Sequence, residues 1–251
     1  MERKERLIKR AEERFDVFVA MKNDQNQPGY AGAPKATLKL AISPLFPSRI
    51  LISQRELLSL IQNTRVPWRG TGFPLSRTSI LSQHESALIL EADGQTFSLL
   101  EANIWGLFFY VCEIEGEYGD NNTKSRGIHL YAFLGRLLVF LEHVRQSYSA
   151  IGYEGTLEVR VVLERMRGTP FLYSSFAGFI DQGPSSQLDD KVSFVLSVPS
   201  SRLQTDRDTV SLDLLRILLF AVNWPDVASQ DEKINVLLES GYKFNMWKPK
   251  T

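Results

Sequence analysis

The dipeptide Asp93-Gly94, set inside SALILEADGQTFSLLEAN (86–103), constrains this fold more than any other feature. A type I′ turn needs positive φ at both central residues, which Asp and Gly tolerate, and its twist matches that of the flanking strands. The spacing therefore predicts antiparallel strands near 86–92 and 95–101. A third strand is predicted over 104–114, IWGLFFYVCEI. Its nearly continuous apolar run suits a strand buried on both faces at the centre of a sheet. Together the three form an antiparallel meander.

A long helical pattern follows in RGIHLYAFLGRLLVFLEHVRQSYSAIGY (126–153). Leu130, Leu134, Leu137, Leu141 and Val144 recur at helical spacing, and Tyr131, Leu138 and Phe140 widen the apolar face. Gly152 is a natural stop. This helix is expected at the centre of the fold.

The remaining segments read more locally. In ATLKLAIS (36–43), Leu38, Leu40 and Ile42 share one face of a strand. Ser53-Gln54-Arg55-Glu56 is a capping box that opens a short helix running to about Asn63. In TLEVRVVLERM (156–166), Leu157, Val159, Val161 and Leu163 point inward while Glu158, Arg160 and Glu164 point outward. KVSFVLSV (191–198) is another strand, and SLDLLRILLFAVNW (211–224) is a buried helix closed by Pro225. A second capping box at Ser229 opens a last helix that stops at Gly241. At the other end, residues 2–14 carry ten charges, with Ile8, Ala11, Phe15 and Phe18 forming one apolar stripe.

Strands bunch together in this order rather than alternating with helices. The expected class is α+β: a mostly antiparallel sheet, helices on one side, and further helices packed on the central one. One domain over 1–251 is expected, with 1–22 a charged connector helix and 174–190 a flexible polar insert.

Composition narrows the chemistry. The 29 basic and 29 acidic residues cancel, against the basic excess of a chain that grips nucleic acid over its whole surface. The single cysteine, Cys112, excludes an intramolecular disulfide and a thiolate zinc site. The charged N-terminus reads as a helix rather than a secretory signal, and no apolar run reaches the ~20 residues of a membrane span. A cytoplasmic chain with no membrane contact is the expectation.

Gly70-Thr71-Gly72 lacks the Lys-Ser/Thr of a phosphate loop, there is no Gly-x-Ser-x-Gly elbow, and no cofactor is implied. Ser82 and Ser86 flank His84, but closeness in sequence is not a triad. Cys112 lies in the most apolar strand, where a thiol is inert. His143, beside Glu142, reads as a helix C-terminal cap.

Two clusters remain. Glu113, Glu115 and Glu117 alternate at a strand end and Asp120 follows. Such oxygens on one face either hold magnesium, as in a metal-dependent nuclease, or form a solvated strand edge. In RVPWRGTGFP (65–74) and just beyond, Arg65, Trp68, Arg69, Phe73 and Arg77 interleave cations with aromatics, and Arg165 and Arg167 add to them. That mixture suits single-stranded nucleic acid or a protein partner. Otherwise the aromatics plug the core and the arginines face water.

Three passages carry a family resemblance: ATLKLAISPLFPSRILISQRELLSLI (36–61), TGFP with ALILEADGQTFSLL (71–74 and 87–100), and LGRLLVFLEHVRQSYSAIGYEGTLEVRVVLERMRGTPFL (134–172). Over about 36–173 the chain resembles the C-terminal region of bacterial proteins that begin with a Schlafen/Alba-type putative DNA-binding domain. That domain is absent here, so no residue role is carried over. The resemblance implies a C-terminal part, or a split version working with a partner. The reading that follows is a non-enzymatic interaction or sensor module of a bacterial nucleic-acid-associated system, regulatory or defensive. Its contact elements would be the N-terminal helix, the Trp68 loop and the 174–190 insert. A metal-dependent nuclease or hydrolase and a direct single-strand binder are the alternatives. A protein partner or self-association, through a sheet edge, is expected.

Overall fold

The computed structural model of the chain describes residues 2–24, 35–67, 72–74, 80–93, 96–118, 125–174, 180–182 and 189–221. The elements in chain order are α1 (Glu2–Asp24), β1 (Thr37–Pro44), α2 (Gln54–Asn63), β2 (Ile80–Gln83), β3 (Ser86–Asp93), β4 (Thr96–Asn103), β5 (Phe108–Glu113), β6 (Glu115–Tyr118) and β7 (Ser125–His129). They continue with α3 (Leu130–Ile151), β8 (Thr156–Glu164), β9 (Phe171–Ser174), β10 (Ile180–Gln182), β11 (Lys191–Pro199), α4 (Ser200–Thr205) and α5 (Arg207–Ala221). The fold is α+β. A seven-stranded sheet in the order β11-β8-β1-β5-β4-β3-β2 pairs antiparallel throughout. A second sheet, β10-β9-β7-β6, contains one parallel pair, β7 with β9.

Most helical and strand signals lie where local chemistry placed them. Ser53 accepts from the Glu56 N–H, and the Glu56 carboxylate accepts from the Ser53 N–H at 3.0 Å, so the capping box forms. The apolar face of α3, from Leu130 through Val144 to Tyr148, is buried, and Gly152 ends the helix with φ +69°. The last expected helix, 229–241, lies outside the described residues.

Several expectations are corrected. The β3–β4 pairing sets Asp93 opposite Thr96, so the connection is residues 94 and 95, one position later than an Asp93-Gly94 turn. The faces of both strands survive the shift because the partners still match in parity. The third strand does not start at 104. Asn103 Oδ1 accepts from the N–H groups of Trp105 (3.0 Å) and Leu107 (3.1 Å), and Gly106 takes φ +83°, so Ile104 to Leu107 form a turn and β5 begins at Phe108. Within 174–190, expected as an insert without structure, β10 pairs with β9. His143 lies in the body of α3 rather than at its end, and its ring caps another helix: Nδ1–H donates to the Thr64 carbonyl at the C-terminus of α2 (2.8 Å).

The largest correction concerns layering. The helices do not lie on one side. The main core joins one sheet face to α2, α3, α4 and α5. A second core lies on the opposite face, where Leu7, Ile8, Ala11 and Phe15 of α1 meet Ala41, Leu88, Leu99, Phe109 and Val111. With both faces covered, β5 must be apolar on each side, which explains its unbroken run of buried residues.

Candidate functional site

Charges that look solvated in the sequence dock α1 on the sheet. Lys4 pairs with Glu158, Glu5 with Arg160, Glu12 with Lys39 and Arg14 with Glu101. Glu158 and Arg160, outward on β8, thus face α1 rather than open water, while Glu164 pairs with Lys39 and Lys191 of the neighbouring strands. Burial works against the Lys39 ammonium, but its bonds to Glu164 and Glu12 outweigh that and raise its pKa above the usual lysine value. Glu101 is almost wholly buried; one carboxylate oxygen accepts from Arg14 and from Ser86 Oγ (2.6 Å).

α1 leaves part of this face uncovered. Between its C-terminal half and β2, β3 and β4 lies a groove of about 610 Å³. Leu88 and Leu99 form its floor, with Phe18 and Leu90 half-buried beside them. Val17 (59% exposed), Met21 (57%) and Leu81 (48%) line its rim. Arg14, Val17, Phe18 and Met21 recur at three- and four-residue spacing, so they stack along one flank of the helix. Arg10, Glu13 and His84 supply the polar boundary. Arg10 makes no ion pair among the described residues, and His84 holds φ +54° between β2 and β3. The volume lies within the ~300–1,000 Å³ range of small-molecule sites. The sequence carried a signal for this groove: FDVFVAM packs more apolar residues into the end of α1 than one buried stripe requires.

The acidic and basic candidates meet elsewhere, at the sheet end where β1 begins and β5 and β8 finish. Glu113 accepts from the Phe97 N–H (3.1 Å) and faces Lys35 at 3.6 Å. Burial pushes the Glu113 carboxyl up, against the pull of Lys35. Glu115 accepts from the Ala36 N–H (3.0 Å) and is gripped by Arg126. Arg165, exposed at φ +61°, donates to the Lys35 carbonyl (3.3 Å). Glu117 and Arg167 are exposed nearby in sequence, and each has an interaction of its own. Among the described residues, no group of three or more His, Cys, Asp or Glu side chains is placed to hold a metal ion. Asp120 lies outside the described residues.

The RVPWRGTGFP stretch is pinned at its base. Val66 and Phe73 exchange backbone hydrogen bonds at 2.9 and 2.7 Å. Phe73 is a core plug, its ring edge-on to Tyr110 (5.1 Å) and His143 (5.8 Å). Arg65 leaves the C-terminus of α2, on the α3 side of the sheet, whereas Arg165 closes β8, so the two belong to different parts of the fold. Trp68, Arg69 and Arg77 lie outside the described residues. Cys112 is buried, and burial pushes its thiol up, away from reactivity. Among the described residues no helix is long and apolar enough to cross a membrane.

Compared with protein-family models, with curated proteins and with solved structures, the chain matches none. The fold and groove define an α+β protein with a sheet covered on both faces and a concave apolar surface beside its N-terminal helix.

Proposed function

We propose that the chain is a non-enzymatic interaction module that holds an amphipathic segment of a protein partner in the groove between α1 and β2–β4. The observation that carries this reading is the groove itself: a leucine floor, three large apolar side chains exposed at its rim, and Arg10, which has no ion pair among the described residues, beside them. A helix laid there would set apolar side chains on Leu88 and Leu99 and a carboxylate toward Arg10. The resemblance to C-terminal regions of bacterial Schlafen/Alba-type proteins supplies the setting, a nucleic-acid-associated regulatory or defence system. The nuclease alternative draws less support, since Glu113 and Glu115 each spend an oxygen on a backbone N–H and face a cation.

The test titrates the protein with anilinonaphthalene sulfonate, an anionic apolar dye, and incubates it with oligonucleotides and magnesium. Saturable fluorescence that is lost in Met21→Glu and Leu81→Glu, with melting temperature unchanged, is the expected result. Absence of saturable binding, or binding indifferent to both substitutions, overturns the groove reading. Oligonucleotide cleavage lost in Glu113→Gln overturns the non-enzymatic one.

A further inference from the structure

The two edges of the seven-stranded sheet are unequal. β2 is four residues long, short enough to offer little to another strand. β11 is nine residues long and, among the described residues, pairs with β8 alone. Its one charged residue, Lys191, is already paired with Glu164 at 3.0 Å, and its proline stands at the far end. A long apolar edge without internal charge or proline is a ready template for strand addition.

The direction of the backbone groups follows from one hydrogen bond. Ser200 N–H donates to the Gly155 carbonyl at 3.0 Å, continuing the β11–β8 register past Pro199 and Thr156. Antiparallel neighbours alternate between bonded and non-bonded pairs. The even-numbered residues of β11 therefore bond to β8, and Lys191, Ser193, Val195 and Ser197 turn their N–H and C=O groups to the open edge. Pro199, which has no N–H, falls on that same set.

The sequence of the edge is close to a palindrome about Val195: Val192-Ser193-Phe194-Val195-Leu196-Ser197-Val198. A two-fold axis through Val195 sets Val195 opposite its own copy, Ser193 opposite Ser197, Phe194 opposite Leu196 and Val192 opposite Val198. Every pair matches in character, as an isologous interface requires. Val192, Phe194 and Leu196 are only half-buried, and Val195 is 55% exposed, so both faces of the strand have apolar area left to cover. We infer that the chain forms a two-fold dimer by antiparallel pairing of β11 with β11 of a second copy, centred on Val195. The two sheets then run on as one. This edge lies at the opposite end of the strand order from the groove, so the dimer leaves the groove open.

The experiment combines light scattering with cysteine crosslinking. The wild type is expected at twice the chain mass of 28.5 kDa, and Val195→Lys at the single-chain value. Val195→Thr, which keeps the β-branched shape, retains the dimer. Across the axis the two residue-195 Cα atoms sit ~5.5 Å apart in a bonded antiparallel pair, within the span of a disulfide. Val195→Cys therefore crosslinks on mild oxidation. Ser193→Cys does not, because its copy lies about four residues, ~13 Å, along the strand. Cys112 is buried and takes no part. A monomer at ~100 µM, a dimer that survives Val195→Lys, or crosslinking through Ser193→Cys instead of Val195→Cys overturns the proposal. So does a monomer whose outward β11 amides resist hydrogen exchange, since its own chain would then cover the edge. Dye binding in Val195→Lys separates this failure from that of the groove.

Discussion

His143 should make the protein acid-sensitive in a pH window of its own. Its ring is fully buried between Phe73 and Phe108, and Nδ1–H donates to the Thr64 carbonyl. Among the described residues Nε2 has no hydrogen-bond partner, so a second proton would place an unpaired N–H and a charge in the core. Burial accordingly lowers the pKa from 6.5 to about 4, against the pull of the Thr64 carbonyl. A base depressed on folding takes up its proton more readily in the unfolded chain. The stability it contributes is complete above pH 6.5 and is lost as pH falls toward 4. The full shift corresponds to about 3 kcal/mol, of which about 2 kcal/mol is gone by about pH 5. Carboxylates held low, such as Glu142 at about 2, contribute little in this interval, because the stability they add is lost only as pH falls from the unfolded value of 4.5 toward the folded one. Urea denaturation at about pH 7.5 and pH 5 measures the loss. His143→Asn keeps an N–H where Nδ1 stands but cannot titrate, so its stability should fall by about 2 kcal/mol less over the same interval. An unchanged pH dependence in that variant, with its fold intact, would refute the reasoning.

Two further perturbations probe the two cores. Arg14→Met strips the cation from nearly buried Glu101, leaving Ser86 as its one hydrogen-bond donor among the described residues, and should cost about 3–5 kcal/mol in urea denaturation. Adding Glu101→Leu should recover much of that loss, and no recovery would mean that the loss does not come from the unpaired Glu101 carboxylate. Phe73→Ala opens a cavity against Tyr110 and His143 and should cost about 3–5 kcal/mol, read as a lower denaturation midpoint. A loss below about 1 kcal/mol would show that the RVPWRGTGFP loop is not anchored through this ring.

Signals that depend on residues close in sequence were legible without the fold. The capping box at Ser53 needs only the three-residue reach to Glu56, the helix stop at Gly152 needs only positive φ, and the alternation in β8 needs only the two-residue repeat of a strand. These determine the elements and, through their grouping, the α+β class. What covers each face was decided by tertiary structure. The outward charges of β8 look solvated in sequence, and only the docking of α1 turns Glu158 and Arg160 toward Lys4 and Glu5. His143 looks like a cap for its own helix, and only the packing of α3 beside α2 gives it the Thr64 carbonyl. The acidic run at Glu113 and Glu115 could read as a ligand set or a solvated strand edge, and only Lys35, Arg126 and the Ala36 and Phe97 N–H groups, from distant parts of the chain, decide what those carboxylates meet. The groove likewise requires one helix flank and three strands that are distant in sequence. A periodic pattern records which residues share a face. It does not record which distant element meets that face, because that choice is made by long-range burial and charge pairing after the elements have formed.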